Sequence, residues 1–199
     1  MEQADVALRV QRALAAVDRR RFLPPEQHRF AGADRALPIG HHATCSQPST
    51  VARMLTLLDP RPGHRVLDVG AGSGWTTAIL AELVAPDGEV VGVELEPALV
   101  ERGSANLADF TTDRGRRAPA RIEPAVTGVL GLPQHAPFDR ILVSAEARRL
   151  PDELVDQLAA GGRMVVPVRG RLVVARLGDD GRLTTDAVGT FRFVPLRRP

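Results

Sequence analysis

The sequence contains no lysine and no tyrosine, and all 26 of its basic residues are arginine. Without lysine the chain has no pyridoxal Schiff base, no lysine nucleophile and no Walker-type phosphate loop, since each requires that amine. The single cysteine, Cys45, excludes an internal disulfide and any zinc cluster built on cysteines. No apolar run approaches the roughly 20 residues of a membrane span. The opening "MEQADVALRV" carries acids and lacks the charged-then-apolar pattern of an export signal, so a reducing, cytoplasmic setting is expected. A net charge of +2 accompanies a calculated pI near 9.8. Much of that pI reflects the missing lysine and tyrosine, which would otherwise titrate near pH 10. It argues only weakly for nucleic acid, and neither a nucleic-acid nor a membrane partner is expected.

What is present is enough for one complete core: 199 residues, 44% of them hydrophobic, read as a single domain over 1–199. Residues 5–17 place Val6, Val10, Leu14 and Val17 at helical spacing, and Val51, Met54, Leu55 and Leu58 do so again from Pro48. After "DPRPG" the pattern alternates: strand "RVLDVG", helix 75–84, turn "PDG", strand "EVVGVE", helix "EPALVERGSANL". "RILVSA" and "RMVVPV" read as buried strands separated by the helix "PDELVDQL" with "AAGG" as its stop, and 111–121 as a polar loop. This order predicts an α/β fold with a doubly wound, mostly parallel sheet. "RLVVARL", the turn "GDDG" and "TFRFVPL" read as antiparallel strands added at one edge. The expected layout is 1–60 for N-terminal helices and a substrate loop, 61–168 for a ligand-binding core, and 169–199 for the edge strands. A monomer is expected.

Gly70, Gly72 and Gly74 lie directly after the first strand of that core, where the missing side chains let the backbone turn sharply and approach a ligand. The helix beginning at Trp75 aims its free N–H groups at the same spot. Glu94 ends the next strand, the position from which an acid reaches ribose hydroxyls. A dinucleotide fingerprint wants a third glycine where this chain has Trp75. Asp68, just before the turn, suits a cationic head group better than a polyanion, unless it only caps loop amides. Together these features favour S-adenosyl-L-methionine.

The segments "ALPIGHHATCSQPSTVARML", "RVLDVGAGSGWTTAILAEL", "APFDRILVSAEARRLPDELVDQLAAGGRMVVPV" and "RFVPL" make the chain resemble the protein-L-isoaspartate O-methyltransferases over nearly its whole length. The resemblance implies a Rossmann-like class I methyltransferase fold with a short N-terminal helical segment. It also implies a repair activity that methylates the α-carboxylate of L-isoaspartyl residues in damaged proteins or peptides. Cofactor contacts are expected from Asp68, Gly70, Ala71, Gly72, Ser73, Gly74, Glu94, Leu95, Thr127 and Gly128. Ser46 and Thr44 are the candidates at the reaction centre, with His42, Gln47 and Ser144 on the substrate side and no metal.

The chemistry fits these residue types. A carboxylic acid with a pKa of about 4 is already ionised at neutral pH, so its attack on an activated methyl needs no general base. What remains is positioning, for which Thr44 and Ser46 offer hydroxyls two residues apart on an extended segment. Ser46 has an alternative role as N-cap of the helix at Pro48. Three departures from the family pattern stand out. His41 and His42 replace a common "QG". Thr127 falls, in a gapless reading, where the family's aspartate contacts the adenine amino group, which would weaken binding roughly 5- to 150-fold. Glu146 places a negative charge after the fourth strand, where it would repel a carboxylate. These leave open another carboxylate acceptor, such as a peptide aspartate, or a non-catalytic relative with weakened cofactor binding.

Overall fold

The computed structural model describes residues 2–112 and 117–198. An N-terminal helix α1 (Glu2–Ala16) and two 3-10 turns (Arg19–Phe22 and Pro25–Phe30) lead into a two-stranded hairpin, β1 (Leu37–Gly40) and β2 (Ala43–Cys45). Helix α2 (Pro48–Leu58) follows. The core then runs β3 (Arg65–Val69), α3 (Trp75–Val84), β4 (Glu89–Glu94), α4 (Pro97–Thr112), β5 (Ala120–Pro124), β6 (Phe138–Val143), α5 (Asp152–Val155), β7 (Leu158–Val168), β8 (Arg171–Leu177) and β9 (Leu183–Val188).

The seven strands β3–β9 form one sheet in the order β5-β4-β3-β6-β7-β8-β9. The first five are parallel, whereas β8 and β9 add antiparallel through Val165↔Val174 and Val174↔Asp186. Reversal of strand order beside β3 opens a crevice at the carboxyl ends of β3 and β6, the usual ligand position in such sheets. Successive strand residues face opposite ways. Val66 and Val90 join α1–α4 in one apolar cluster, while their neighbours Leu67 and Val91 join Leu130, Leu132 and Leu154 in another. Helix α3 is apolar nearly all round, and eight of its ten residues are buried between the sheet and α1.

Several boundaries differ from those the sequence pattern predicts. The helix expected over "PDELVDQL" is a single turn, and "AAGG" belongs to β7, where Gly161 at φ +71° bulges the strand instead of stopping a helix. "TFRFVPL" does not pair with β8. That partner is "LTTDAV", while residues 190–196 run alongside Glu146 through a single bridge to Pro195. The polar stretch expected as a loop over 111–121 includes the end of α4 and the start of β5, and its residues 113–116 lie outside the described residues. The β1–β2 hairpin has no counterpart in the sequence reading, which took this segment only as extended.

Candidate active site

The turn after β3 is glycine-built for a geometric reason: Gly70, Gly72 and Gly74 have φ of +82°, +56° and +89°, where a Cβ is strained. A Cβ on Gly72 would approach Ile39 Cδ1 to 3.2 Å, and one on Gly74 would meet the Gly103 carbonyl at 3.1 Å. The turn is thus wedged between hairpin and α4. From α4, the Asn106 amide donates to the Ser73 carbonyl at 2.9 Å and Arg102 donates to the Ile39 carbonyl at 2.8 Å, tying turn and hairpin together. Gly70 and Ala71 N–H donate to the Val93 carbonyl, closing the turn onto the end of β4.

Glu94 ends β4 nearly buried, and its carboxylate organises this corner. One oxygen accepts from Gly72 N–H at 2.9 Å, the other from Leu95 and Glu96 N–H at 2.8 and 3.0 Å. A carboxylate offers about four acceptor positions, so capacity remains for a ligand hydroxyl. Asp68 lies fully buried beneath the turn, accepting from Thr77 Oγ1 at 2.7 Å and Ser144 Oγ at 3.4 Å. Burial pushes its carboxyl up to about 6; the two hydroxyls oppose the rise and the charge of Glu94 adds to it.

Above the turn stands the β1–β2 hairpin. Its two-residue connection, His41 and His42, has φ of +52° and +59°, the left-handed pair of a type I′ turn. His41 Nδ1 sits 3.2 Å from Glu96 Oε1, which anchors the tip over the end of β4. The segment leaving the hairpin is held from behind by Arg19, only 5% exposed. Its guanidinium donates to the carbonyls of Ala33, Arg35, Cys45 and Ser46 at 2.8–3.0 Å and lies 5.2 Å from the Trp75 ring centroid. Among the described residues no carboxylate pairs with it, so a positive charge sits directly behind Ser46. Burial pushes the Cys45 thiol up, which keeps it a packed, unreactive side chain.

These pieces enclose a cavity of about 290 Å³. Of the residues singled out in the sequence, His42, Thr44, Ser46, Gly70, Ala71, Gly72, Ser73, Glu94, Leu95 and Ser144 line it. Asp68 and Gly74 support the turn from outside the lining. Gln47 is turned away, its amide donating to Asp34 at 3.0 Å. Thr127 and Gly128 are exposed and do not line the cavity, because the turn closed by Val129 N–H to the Val126 carbonyl carries them outward. Ala125, Val129, Leu130 and Gly131 form that wall instead. Glu146 is likewise absent from the lining, its backbone engaged by Val194 and Leu196. Nor does Ser46 cap α2: the N-cap is Gln47, and Ser49 N–H donates to Asp34 at 2.9 Å. The N–H donor from Ser49 holds the Asp34 carboxyl below its usual range. Among the described residues the Ser46 hydroxyl has no hydrogen-bond partner.

The model of the family described as protein-L-isoaspartate(D-aspartate) O-methyltransferase matches residues 3–198. The chain belongs to this family. A protein-L-isoaspartate O-methyltransferase of Aeropyrum pernix is 49% identical over 193 residues, 94% of this chain and 72% of that relative. The namesake from Methanopyrus kandleri is 43% identical over 192 residues, covering 94% and 83%. A Plasmodium falciparum structure described as a protein-L-isoaspartate O-methyltransferase in complex with S-adenosyl-L-homocysteine superposes with a TM-score of 0.80 at 25% identity, over 96% of this chain and 91% of that one.

Residue-by-residue reading missed the supports more than the lining. Arg19 and Gln157 are both buried polar side chains serving backbone. Gln157, 3% exposed, accepts from Leu132 N–H and donates to the Leu130 and Glu153 carbonyls at 2.7–2.8 Å, fixing the wall at Leu130 and Gly131. Neither carries a motif: Arg19 is one of three arginines in the charged run "DRRR", and Gln157 is one polar residue of "DELVDQL".

Proposed function

We propose that the chain is an S-adenosyl-L-methionine-dependent methyltransferase acting on the α-carboxylate of L-isoaspartyl residues in proteins or peptides. The observation that carries this reading is the meeting of three features in one cavity of a chain belonging to this family. They are a glycine turn open to a ligand, the Glu94 carboxylate at its edge, and the unpartnered Ser46 hydroxyl opposite. The residues fit the cofactor: the turn allows close backbone approach, and Glu94 retains acceptor capacity for ribose hydroxyls. The first turn of α3, Trp75 and Thr76, borders the same space with no side chain capping the helix. Ala125, Val129 and Leu130 offer an apolar wall to a flat base.

When bound, the cofactor supplies a methyl group on a positive sulfur, so that a carboxylate oxygen forms the new C–O bond while the C–S bond breaks and its electron pair stays on sulfur. No proton moves in that exchange. The task of the chain is to hold the carboxylate in line, through the Ser46 and Thr44 hydroxyls, against the positive charge of Arg19. Glu146 lies outside the lining and gives no reason for another acceptor, and Thr127, also outside it, gives none for weakened cofactor binding. The test is methyl incorporation from labelled S-adenosyl-L-methionine into an isoaspartyl peptide and its aspartyl twin. Labelling confined to the isoaspartyl peptide is expected; labelling of neither, by protein that still binds the cofactor, refutes the acceptor. Ser46→Ala is expected to lower kcat on the order of 10-fold or more with little change in Tm, whereas parallel losses in both would mark a structural role.

A further inference from the structure

Three backbone segments are laced side by side at the mouth of the cavity. Glu146 N–H donates to the Val194 carbonyl and Leu196 N–H to the Glu146 carbonyl, both at 2.8 Å, while Ala147 bridges Val168 and Phe191 N–H donates to the Gly170 carbonyl. Residues 144–149, the β7–β8 turn and the C-terminal stretch thereby form one ledge. Val194, Pro195, Leu196 and Arg197 carry that ledge into the cavity lining.

The ledge is heavily cationic. Arg148, Arg149, Arg169, Arg192 and Arg197 are all exposed on it. Its acids are Glu146, half-buried, and Glu153 beside it, which Arg198 engages at 2.6 Å and whose carboxyl also feels Arg149. Arg169 spends its Nε–H on the Arg148 carbonyl at 3.0 Å. Among the described residues no carboxylate pairs with Arg148, Arg169, Arg192 or Arg197. The overall charge of +2 gives no hint of this concentration, and it contrasts with Arg65 and Arg176, which are paired with Glu89 and Asp186. Like charges gathered beside a cavity focus field at its entrance and raise the local concentration of anions.

We infer that this arginine ledge is a docking surface for acidic polypeptide flanking the acceptor residue, so that the protein selects isoaspartyl sites set among aspartates and glutamates. The inference rests on the proposed function for the acceptor, but the ledge itself is charge and position. Ser46 and residues 194–197 of the ledge line the same cavity, so the flanks of a chain whose carboxylate reaches Ser46 lie close to these arginines. A polypeptide is favoured over nucleic acid because the ledge is continuous with a cavity lined by the Thr44 and Ser46 hydroxyls, which suit a carboxylate.

The test is fluorescence anisotropy of the full chain with labelled isoaspartyl peptides of equal length, flanked by acidic, neutral or basic residues. At about 25 mM salt the acidic peptide is expected to bind on the order of 10-fold tighter than its neutral twin, roughly two- to threefold per engaged arginine, with the basic peptide weakest. At about 0.5 M salt the preference is expected to collapse. Arg148→Glu with Arg192→Glu should erase most of it at low salt; Arg148→Ser with Arg192→Ser gives a milder version with the fold monitored by circular dichroism. Equal binding of acidic and neutral peptides, or a preference that survives the substitutions, overturns the ledge. So does an oligonucleotide of matched charge that displaces the acidic peptide more effectively than unlabelled peptide. Methylation of the same peptides is read separately. A flank-dependent affinity with no methyl incorporation leaves the ledge and refutes the acceptor chemistry; incorporation with no flank dependence in affinity does the reverse.

Discussion

A single buried carboxyl sets a testable pH dependence. Asp68 has no exposed surface, and its pKa of about 6 stands above the ordinary 3.8. The folded chain therefore keeps this proton between about pH 4 and 6, where the unfolded chain has lost it. The resulting stabilisation is complete below about pH 4 and is lost as pH rises through 6. Ionised Asp68 is then a burden of about 3 kcal/mol at pH 8 relative to an unshifted carboxyl. Asp68→Asn keeps the shape and removes the charge. Its stability relative to the parent is expected to be greater at pH 8 than at pH 5, by about 1.4 kcal/mol of unfolding free energy in urea titrations. A constant difference across that range would mean Asp68 is ionised throughout. The role of Asp68 was half legible in the sequence. An acid before a glycine turn is visible, but that it lies under the turn, bonded to Thr77 and Ser144 rather than facing a ligand, depends on which way β3 presents its faces.

The element that positions the site is the tight junction of the β3–α3 turn with α4. A Cβ on Gly103 would fall 2.6 Å from Ile122 Cδ1 and 2.8 Å from the Gly72 carbonyl, and the second of these is backbone that cannot rotate away. Gly103→Ala is expected to push α4 off the turn, costing about 1–3 kcal/mol of stability and weakening S-adenosyl-L-homocysteine binding measured by calorimetry. Gly32, with open space around it, serves as control: Gly32→Ala should leave both within experimental error. A Gly103→Ala variant with unchanged affinity would show that the turn does not need α4. The elements from β3 to α4 were legible because their apolar runs are bounded by glycine and proline signals. Strand β9 was not, because it is an edge whose residues are nearly all exposed, so it shows no apolar alternation. The phenylalanines of 190–196 do alternate, but Phe191 and Phe193 pack on the core from an irregular segment, and periodicity alone does not distinguish that from a strand. Arg19 belongs to the same class of omission: read along the chain, "DRRR" is a charged run, and only the fold selects one member for burial.

At the scale of the whole molecule, the cavity is where distant parts of the chain meet. Its walls come from residues 39, 41–46, 69–73, 75–76, 93–95, 125, 129–131, 144–145 and 194–197, so a ligand there touches the N-terminal hairpin, four strand ends and the C-terminal stretch at once. Contacts so distributed exist only when all those segments are assembled, which means a ligand binds the folded chain and not the unfolded one. S-adenosyl-L-homocysteine at about 100 times its Kd should then stabilise the fold by about 2.7 kcal/mol. For a chain of 199 residues that corresponds to a rise in Tm of roughly 5–11 °C in scanning calorimetry. At one fixed ligand concentration, the departure at Thr127 predicts weak binding and a small shift if that residue faces the adenine, whereas its exposed position outside the cavity predicts the full shift and no effect of Thr127→Ala. No shift at millimolar ligand would remove the cofactor, and with it the enzyme, leaving a family member that acts by binding alone. A full shift in the parent, retained in Thr127→Ala and diminished in Gly103→Ala, would locate cofactor affinity in the glycine turn and its packing against α4.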